Sequence, residues 1–180
     1  MATDKHISAG TALGEGARAF ATRKHSGQKG KRPGEAYIDH LEAVVQLLKQ
    51  HGEERADVLA AGYLHDCLEK TDTDVAELIR EFGEEVAELV FWLTDPEDSE
   101  GREKELVSAW LLARAPVEAK HIKLADIVDN ADAIRQHDPA RWPKFRVGKS
   151  LILDRMAAVE GECLTRHALF AKALHALAAD

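Results

Sequence analysis

Cysteine is scarce in this 180-residue chain, and long apolar runs are missing. Neither Cys67 nor Cys163 belongs to a CxxC motif, so a disulfide-stabilised scaffold is not expected and a cytoplasmic location is favoured. The most apolar stretch, residues 106–115, contains an arginine and is far too short to span a membrane. Residues 1–10 lack the apolar core of a secretory signal. We therefore predict a flexible N-terminal tail at residues 1–10 and one domain over residues 11–180.

Acidic residues are missing from one segment of a chain that is acidic as a whole. The formal net charge of −8 argues against a nucleic-acid-binding protein that depends on bulk electrostatic attraction. Between Gly16 and Gly34, however, the sequence has no Asp or Glu. A local basic strip of this kind is typical either of a solvated face or of a site for a small polyanion. Its basic residues are Arg18, Arg23, Lys24, His25, Lys29, Lys31 and Arg32.

Sustained alternation of β-branched and polar residues is also missing, whereas helical spacing of apolar residues occurs throughout. The pattern therefore predicts an all-α fold, a single helical bundle with packing helices at its C-terminus. The first helix is predicted over about residues 13–25. The second is predicted to begin after an N-cap at Asp39, with Glu42 completing a capping box. Two further helices are predicted over about residues 55–69 and 117–135.

Three of these predicted helices carry side chains that bind metals. His40 falls in the first turn of the second helix, the pair His65–Asp66 in the third, and Asp126 in the helix over residues 117–135. Two imidazoles and two carboxylates from three packed helices would form a mixed nitrogen and oxygen cage. Such a cage suits one divalent ion, Mn²⁺ or Fe²⁺, better than a structural zinc. For Asp126 taken alone, a solvated position on a helix surface is the commoner alternative.

Polar residues near this predicted cage can supply the other parts of a phosphoester hydrolase. Glu69 lies one turn beyond His65, where it can accept a proton from an attacking water or simply form a surface ion pair. Lys123 and Asn130 share a helix face with Asp126, so that face presents an ammonium, an amide and a carboxylate. A metal ligand, a hydrogen-bonding group and a phosphate counter-charge are what hydrolysis of a phosphoester requires.

Longer motifs around these residues resemble a known enzyme family. The spacing of His40, His65–Asp66 and Asp126 is that of the H…HD…D motif of the HD-domain metal-dependent phosphohydrolases. Four segments are similar to the hydrolase domain of the Rel/SpoT alarmone enzymes: ATRKHSGQ at 21–28, GEAYIDH at 34–40, GYLHDCLEKTD at 62–72 and KLADIVDN at 123–130. The resemblance extends over residues 11–160, and the chain resembles the stand-alone small alarmone hydrolases, which have no synthetase domain.

The resemblance implies an enzyme that removes the 3′-pyrophosphate from ppGpp or pppGpp to give GDP or GTP. It implies one Mn²⁺ bound by His40, His65, Asp66 and Asp126, with Glu69 organising the attacking water. The expected partner is a small phosphorylated nucleotide rather than nucleic acid or a membrane, and the expected assembly is a monomer or homodimer. The candidate nucleotide-binding residues are Lys24, His25, Lys29, Lys31, Arg32, Lys123 and Asn130.

Two features depart from the family pattern. The family has Glu–Asp after its HD pair, whereas this chain has Glu69–Lys70, which puts an ammonium beside the metal site. The exchange predicts weaker alarmone hydrolysis, and Lys70→Asp is expected to raise alarmone turnover. The basic loop at residues 27–34 is one residue longer than the common form. Either Lys31 or Arg32 can then contact the base, although the planar guanidinium of arginine stacks better.

Two other functions remain open at the level of the sequence. One is an HD phosphohydrolase that acts on another nucleotide, such as a nucleoside monophosphate or the 2′-phosphate of NADPH. The other is a catalytically weak domain that binds a metal and a nucleotide, for which Lys70 is the supporting feature. Substrate comparisons distinguish these functions from alarmone hydrolysis.

Overall fold

A computed structural model describes residues 2–96 and 101–178, with side chains from Gly10 onward. Most of the described residues are helical. Within these ranges the only β-type pairing is an isolated antiparallel bridge between Lys29 and Ala36. The predicted all-α fold is confirmed. In chain order the helices are α1 (Ala2–Lys24), α2 (Tyr37–Gln50), α3 (Ala56–Leu64), α4 (Cys67–Lys70), α5 (Val75–Phe82), α6 (Glu84–Leu93), α7 (Gly101–Arg114), α8 (Val117–His137), α9 (Trp142–Glu160), α10 (Glu162–Thr165) and α11 (Ala168–Ala178).

Helix α8 forms the centre of the bundle. It packs against α2, α3, α6, α7, α9 and α11, and nearly every residue from Ala119 to Ile134 is buried. A helix that is covered on all sides needs partners for each polar group that it carries into the interior. The polar residues in the middle of α8 are therefore not solvated surface residues, and Asp126 is only 5% exposed.

Close contact between α2 and α3 depends on a small residue. The buried face of α2 carries Leu41, Val44, Val45 and Leu48 at helical spacing. A Cβ atom placed on Gly62 of α3 would lie 3.1 Å from side-chain carbons of both Val45 and Leu48. Since such a contact is tighter than normal packing allows, glycine at this position lets α3 approach α2 closely.

Two predicted helix boundaries are wrong. Helix α1 begins at Ala2 rather than near residue 13, so it includes the segment predicted as a tail; the flexibility of residues 1–10 stays a prediction. Helix α2 begins at Tyr37, with Ala36 rather than Asp39 at the N-cap position. The Asp39 carboxylate instead accepts a hydrogen bond of 2.9 Å from the Ala36 amide, which is the backward-reaching role of the third helical residue in a capping box.

The helix predicted over residues 55–69 is divided into α3 and α4. Asp66 has φ −102° and ψ −2°, outside the centre of the helical region, and the hydrogen-bond pattern starts again at Cys67. His65 and Asp66 therefore lie at a break between two helices and not within a continuous one. Burial of the Cys67 thiol raises its pKa to about 12, which fits a structural residue rather than a nucleophile.

Within the described part of the chain, none of the helices is both long enough and apolar enough to cross a membrane.

Candidate active site

The packing of three structural elements brings the four predicted metal ligands together. His40 is the fourth residue of α2, His65 and Asp66 occupy the break between α3 and α4, and Asp126 lies midway along α8. All four side chains are buried, with relative exposures between 2% and 6%. The His40, His65 and Asp126 ligand atoms all lie within 4.8 Å of one another.

The two imidazoles face the two carboxylates through their Nε2 atoms. Nε2 of His40 lies 3.5 Å from Oδ1 of Asp126 and 3.8 Å from Oδ2 of Asp66. Nε2 of His65 lies 3.7 Å from the same Asp126 oxygen and 3.3 Å from the same Asp66 oxygen. Two nitrogens and two oxygens therefore surround one small volume, as a mixed-ligand divalent metal site requires.

The opposite nitrogens of both rings are already occupied by hydrogen bonds. Nδ1 of His40 lies 2.6 Å from Oδ2 of Asp129, and Nδ1 of His65 lies 2.9 Å from the Gly62 carbonyl oxygen. If Nδ1 donates in each case, Nε2 carries the free lone pair. Both Nε2 atoms are buried and have no hydrogen-bond partner in the protein. An imidazole whose Nδ1 is held by a hydrogen bond and whose buried Nε2 has no partner is suited to binding a metal ion through Nε2.

A basic side chain accompanies each carboxylate of the centre. Although burial opposes ionisation, contacts with the imidazoles and with basic side chains hold the pKa values of Asp66 and Asp126 well below the usual range and lower that of Asp129. The three carboxylates are therefore ionised. The ion pairs are Asp66–Lys70 at 2.8 Å, Asp126–Lys123 at 2.9 Å and Asp129–Arg32 at 2.7 Å.

Tyr37 connects the metal centre to the basic loop. Its hydroxyl donates a hydrogen bond to Oδ2 of Asp66, and Nζ of Lys70 lies 2.5 Å from the same hydroxyl. The ring of Tyr37 stacks on His25 with ring centres 4.6 Å apart. His25 is buried against this ring, and its two ring nitrogens contact Gln28 and Cys67, so both are already engaged within the protein.

Lys31 and Arg32 occupy different environments. Arg32 binds the Asp129 carboxylate and also lies 2.8 Å from Glu35, so it is held behind His40. Lys31 is partly buried, and burial lowers its pKa while the negative charges of Asp126 and Asp66 oppose that shift. The Lys31 ammonium therefore interacts electrostatically with two carboxylates of the metal centre, whereas the Arg32 guanidinium binds Asp129 behind His40.

The remaining predicted site residues divide between the centre and its surroundings. Asn130 donates a hydrogen bond to Oδ1 of Asp126 and keeps a buried carbonyl oxygen without a partner. Glu69 lies at the exposed edge, 3.7 Å from Lys104. Lys24 pairs with Asp72 and Glu77 at 3.0 and 2.9 Å, away from the four ligands, and Lys29 is exposed.

A basic cavity of about 240 Å³ opens between α7 and α9. Burial and the nearby Lys123 lower the pKa of Lys149 to about 8, and Lys149 also senses Asp126. Lys104 in the cavity lining lies 3.7 Å from Glu69, so the cavity adjoins the edge of the metal centre. Its charged lining residues are Asp95, Lys104, Glu105, Arg141, Lys144 and Lys149, four basic and two acidic.

Sequence reasoning missed several of these groups. Asp129 lies three residues after Asp126 on α8, and Tyr37 lies three residues before His40 on α2, so helical spacing could have indicated both. The basic residues of the cavity carry no such signal, because α7 and α9 lie outside the motifs and meet the centre only through tertiary packing.

Known proteins that are similar to this chain belong to a family of the kind that the His and Asp site indicates. The HD domain family matches residues 17–152, most of the chain. The chain belongs to the HD-domain family. It is 35% identical over 130 residues to the guanosine-3′,5′-bis(diphosphate) 3′-pyrophosphohydrolase MESH1 of Danio rerio, covering 71% of this chain and 72% of the relative. The human MESH1 is also 35% identical over 130 residues, covering 71% of this chain and 73% of the relative.

A solved structure also shares the fold of this HD-domain protein. It is described as a metazoan ortholog of SpoT that hydrolyses ppGpp, and it superposes with a TM-score of 0.81 at 26% identity. The superposition covers 92% of this chain and 93% of the other. The similarity therefore includes almost the whole helical bundle and not only the metal-binding motifs.

Proposed function

We propose that this HD-domain protein hydrolyses ppGpp and pppGpp to GDP and GTP, releasing the 3′-pyrophosphate. The observation that supports the proposal most strongly is the pair of unpartnered Nε2 atoms, on His40 and His65, which face Asp66 and Asp126. This arrangement occurs in a chain that is 35% identical to named ppGpp 3′-pyrophosphohydrolases. Neither observation alone would select this substrate.

The metal that we propose is one Mn²⁺, with Fe²⁺ as the alternative. His40, His65, Asp66 and Asp126 would hold it, since their donor atoms surround one buried volume. A divalent ion there would lower the pKa of a water molecule and offset negative charge on the phosphoryl oxygens. The hydrogen bond from His40 to Asp129 would keep the imidazole oriented towards the site.

The reaction that we propose breaks the bond between the 3′-oxygen and the adjacent phosphorus. The oxygen of a water forms a bond to that phosphorus, and the 3′-oxygen leaves and takes up a proton. Glu69 lies at the exposed edge of the centre, where its carboxylate would accept the proton that the water loses. Lys123 is held as an ammonium because Asp126 and Asp95 raise its pKa although burial opposes the charge, so it would offset phosphate charge.

The nucleotide would lie between the metal centre and the basic cavity. Lys31 interacts electrostatically with Asp126 and Asp66, and Lys104, Arg141, Lys144 and Lys149 line the cavity. Ammonium and guanidinium groups around a cleft attract a polyphosphate and hold it in place. The unpartnered carbonyl oxygen of Asn130 would accept a hydrogen bond from the nucleotide.

A substrate panel tests this proposal against the other candidate functions. The Mn²⁺-loaded protein is assayed for kcat/KM with ppGpp, pppGpp, GMP and NADPH. We expect the two alarmones to be the best substrates, and higher values for GMP or NADPH would favour another HD phosphohydrolase activity. Metal binding without turnover of any of the four would favour a nucleotide-binding domain. The cytoplasmic location and the monomeric or homodimeric state stay predictions.

A further inference from the structure

The three carboxylates of the metal centre do not bind their basic partners in the same way. Lys123 contacts Oδ2 of Asp126, whereas the two imidazoles face Oδ1 of that carboxylate. The inward oxygen of Asp126 is thus free of any ammonium. Arg32 binds Asp129 mainly through Oδ1, at 2.7 Å, and its second nitrogen lies 3.4 Å from Oδ2, the oxygen that His40 contacts on the side of the ring away from the metal-binding volume.

At Asp66, the basic partner and the imidazoles share one oxygen atom. Nζ of Lys70 lies 2.8 Å from Oδ2 of Asp66, and Nε2 of His65 lies 3.3 Å from the same atom. The Tyr37 hydroxyl donates to this oxygen as well, and Lys70 donates to the Tyr37 oxygen. The oxygen that faces the metal-binding volume is therefore occupied by two donors, one of which carries a full positive charge.

We propose that Lys70 is a built-in counter-ion that competes with the divalent metal for Asp66 and so sets the metal affinity of the site. The inference rests on the metal centre of the proposed function and adds to it a determinant of metal binding. An ammonium and a divalent cation repel each other and need the same lone pairs of Oδ2. Metal binding at Asp66 therefore requires that Lys70 leave this oxygen.

Lys70 can make this movement more easily than Lys123. The Lys70 side chain is 35% exposed, whereas that of Lys123 is 10% exposed and enclosed by the bundle. A long side chain at the rim can move its ammonium into water at little cost in free energy. Lys70 is thus displaced by the ion, while Lys123 remains on the outer oxygen of Asp126.

Calorimetric titration of Mn²⁺ into the metal-free full-length protein tests the proposal without any substrate. We compare wild type with Lys70→Gln, which keeps a hydrogen-bond donor but removes the charge, and with Lys70→Asp, which reverses the charge. We expect Lys70→Gln to bind Mn²⁺ about tenfold more tightly than wild type, and Lys70→Asp to bind at least as tightly as Lys70→Gln. Lys49→Gln is the matched control, since it removes one positive charge from an exposed position at the end of α2.

Thermal unfolding with and without Mn²⁺ gives a second measurement of the same competition. In Lys70→Gln the metal-free Tm is expected to fall, because an ion pair is lost, while the Tm increase on adding Mn²⁺ becomes larger than in wild type. If the Mn²⁺ affinity of Lys70→Gln equals that of wild type, or is lower, the proposal that Lys70 competes with the metal is overturned. Neither result depends on turnover, so a failure to hydrolyse ppGpp would overturn the proposed function and leave this inference standing.

Discussion

His40 and Asp129 are joined by a hydrogen bond of 2.6 Å on the side of the imidazole that faces away from the metal-binding volume. Both groups are buried, and Asp129 is itself bound by Arg32. The contact fixes the plane of the ring and places the proton on Nδ1, so that Nε2 is available to a metal. Asp129 thus acts on the metal site through His40 and not by direct contact.

Removing the charge of Asp129 should weaken metal binding. In Asp129→Asn we expect Mn²⁺ affinity to fall by about tenfold to a hundredfold, because the amide orients and polarises His40 less well than the carboxylate does. The measurement is the Kd of Mn²⁺ by calorimetry. Asp132→Asn is the control, since Asp132 lies on the same helix but is half exposed and pairs with Arg135. Equal affinities in the two variants would show that the contact with His40 does not matter.

Neutral replacements of Lys31 and Arg32 should have different effects. We expect Lys31→Gln to raise the KM for ppGpp by roughly tenfold with little change in Mn²⁺ affinity, because its ammonium interacts electrostatically with the metal centre and would attract phosphate. Arg32→Gln should instead lower Mn²⁺ affinity, because Asp129 loses its 2.7 Å ion pair. Steady-state kinetics and metal titration of both variants check this division of roles. It is wrong if Arg32→Gln changes only the KM.

Adding a methyl group to Gly62 should disturb both stability and the metal centre. A Cβ there would meet Val45 and Leu48 at 3.1 Å, so Gly62→Ala should cost about 1–3 kcal/mol of unfolding free energy. The Gly62 carbonyl also receives the hydrogen bond from His65, so a shift of α3 should weaken Mn²⁺ binding too. Urea unfolding and metal titration are the measurements. Gly14→Ala, where a Cβ meets open space, is the control.

His121 should make the protein less stable in mild acid. It stacks on His167 with ring centres 4.1 Å apart, and burial together with His167 lowers its pKa to about 4. In the unfolded chain the pKa of a histidine is about 6.5. Between pH 6.5 and pH 4, His121 is therefore protonated in the unfolded state but neutral in the folded state. Unfolding free energy is therefore lost as the pH falls through this range, by about 1–2 kcal/mol between pH 7.5 and pH 5.

Urea unfolding at the two pH values checks this effect. The loss of unfolding free energy between pH 7.5 and pH 5 should be smaller in His121→Gln than in wild type. The exposed histidine His175 supplies the control, since His175→Gln should leave the loss unchanged. A loss in His121→Gln as large as in wild type would show that another group is responsible.

Local sequence patterns were sufficient to predict the all-α fold and to identify the four candidate ligands, but not every helix boundary. Helical spacing identified the buried face of α2, and the order of His40, His65–Asp66 and Asp126 identified residues that the fold brings together. The break between α3 and α4 was not predicted, because apolar periodicity runs through it and only the backbone angles at Asp66 reveal it.

The contacts of the charged residues could not be predicted from sequence. Arg32 and Lys31 are adjacent in a basic loop, yet Arg32 binds Asp129, whereas Lys31 interacts electrostatically with Asp126 and Asp66. Lys149 is separated from the HD motif by a long stretch of chain and approaches it through packing of α9 on α8. Such ion pairs depend on which side chains tertiary packing brings within a few ångströms, and residue spacing carries no information about that distance.

Product analysis with ppGpp is the decisive test of 3′-pyrophosphate hydrolysis by this protein. Metal-free protein and Mn²⁺-loaded protein are incubated with ppGpp, and GDP, pyrophosphate and orthophosphate are separated and quantified. We expect equal amounts of GDP and pyrophosphate with Mn²⁺, and intact ppGpp without the metal. Intact ppGpp in protein that demonstrably contains Mn²⁺, or release of orthophosphate alone, would contradict this expectation.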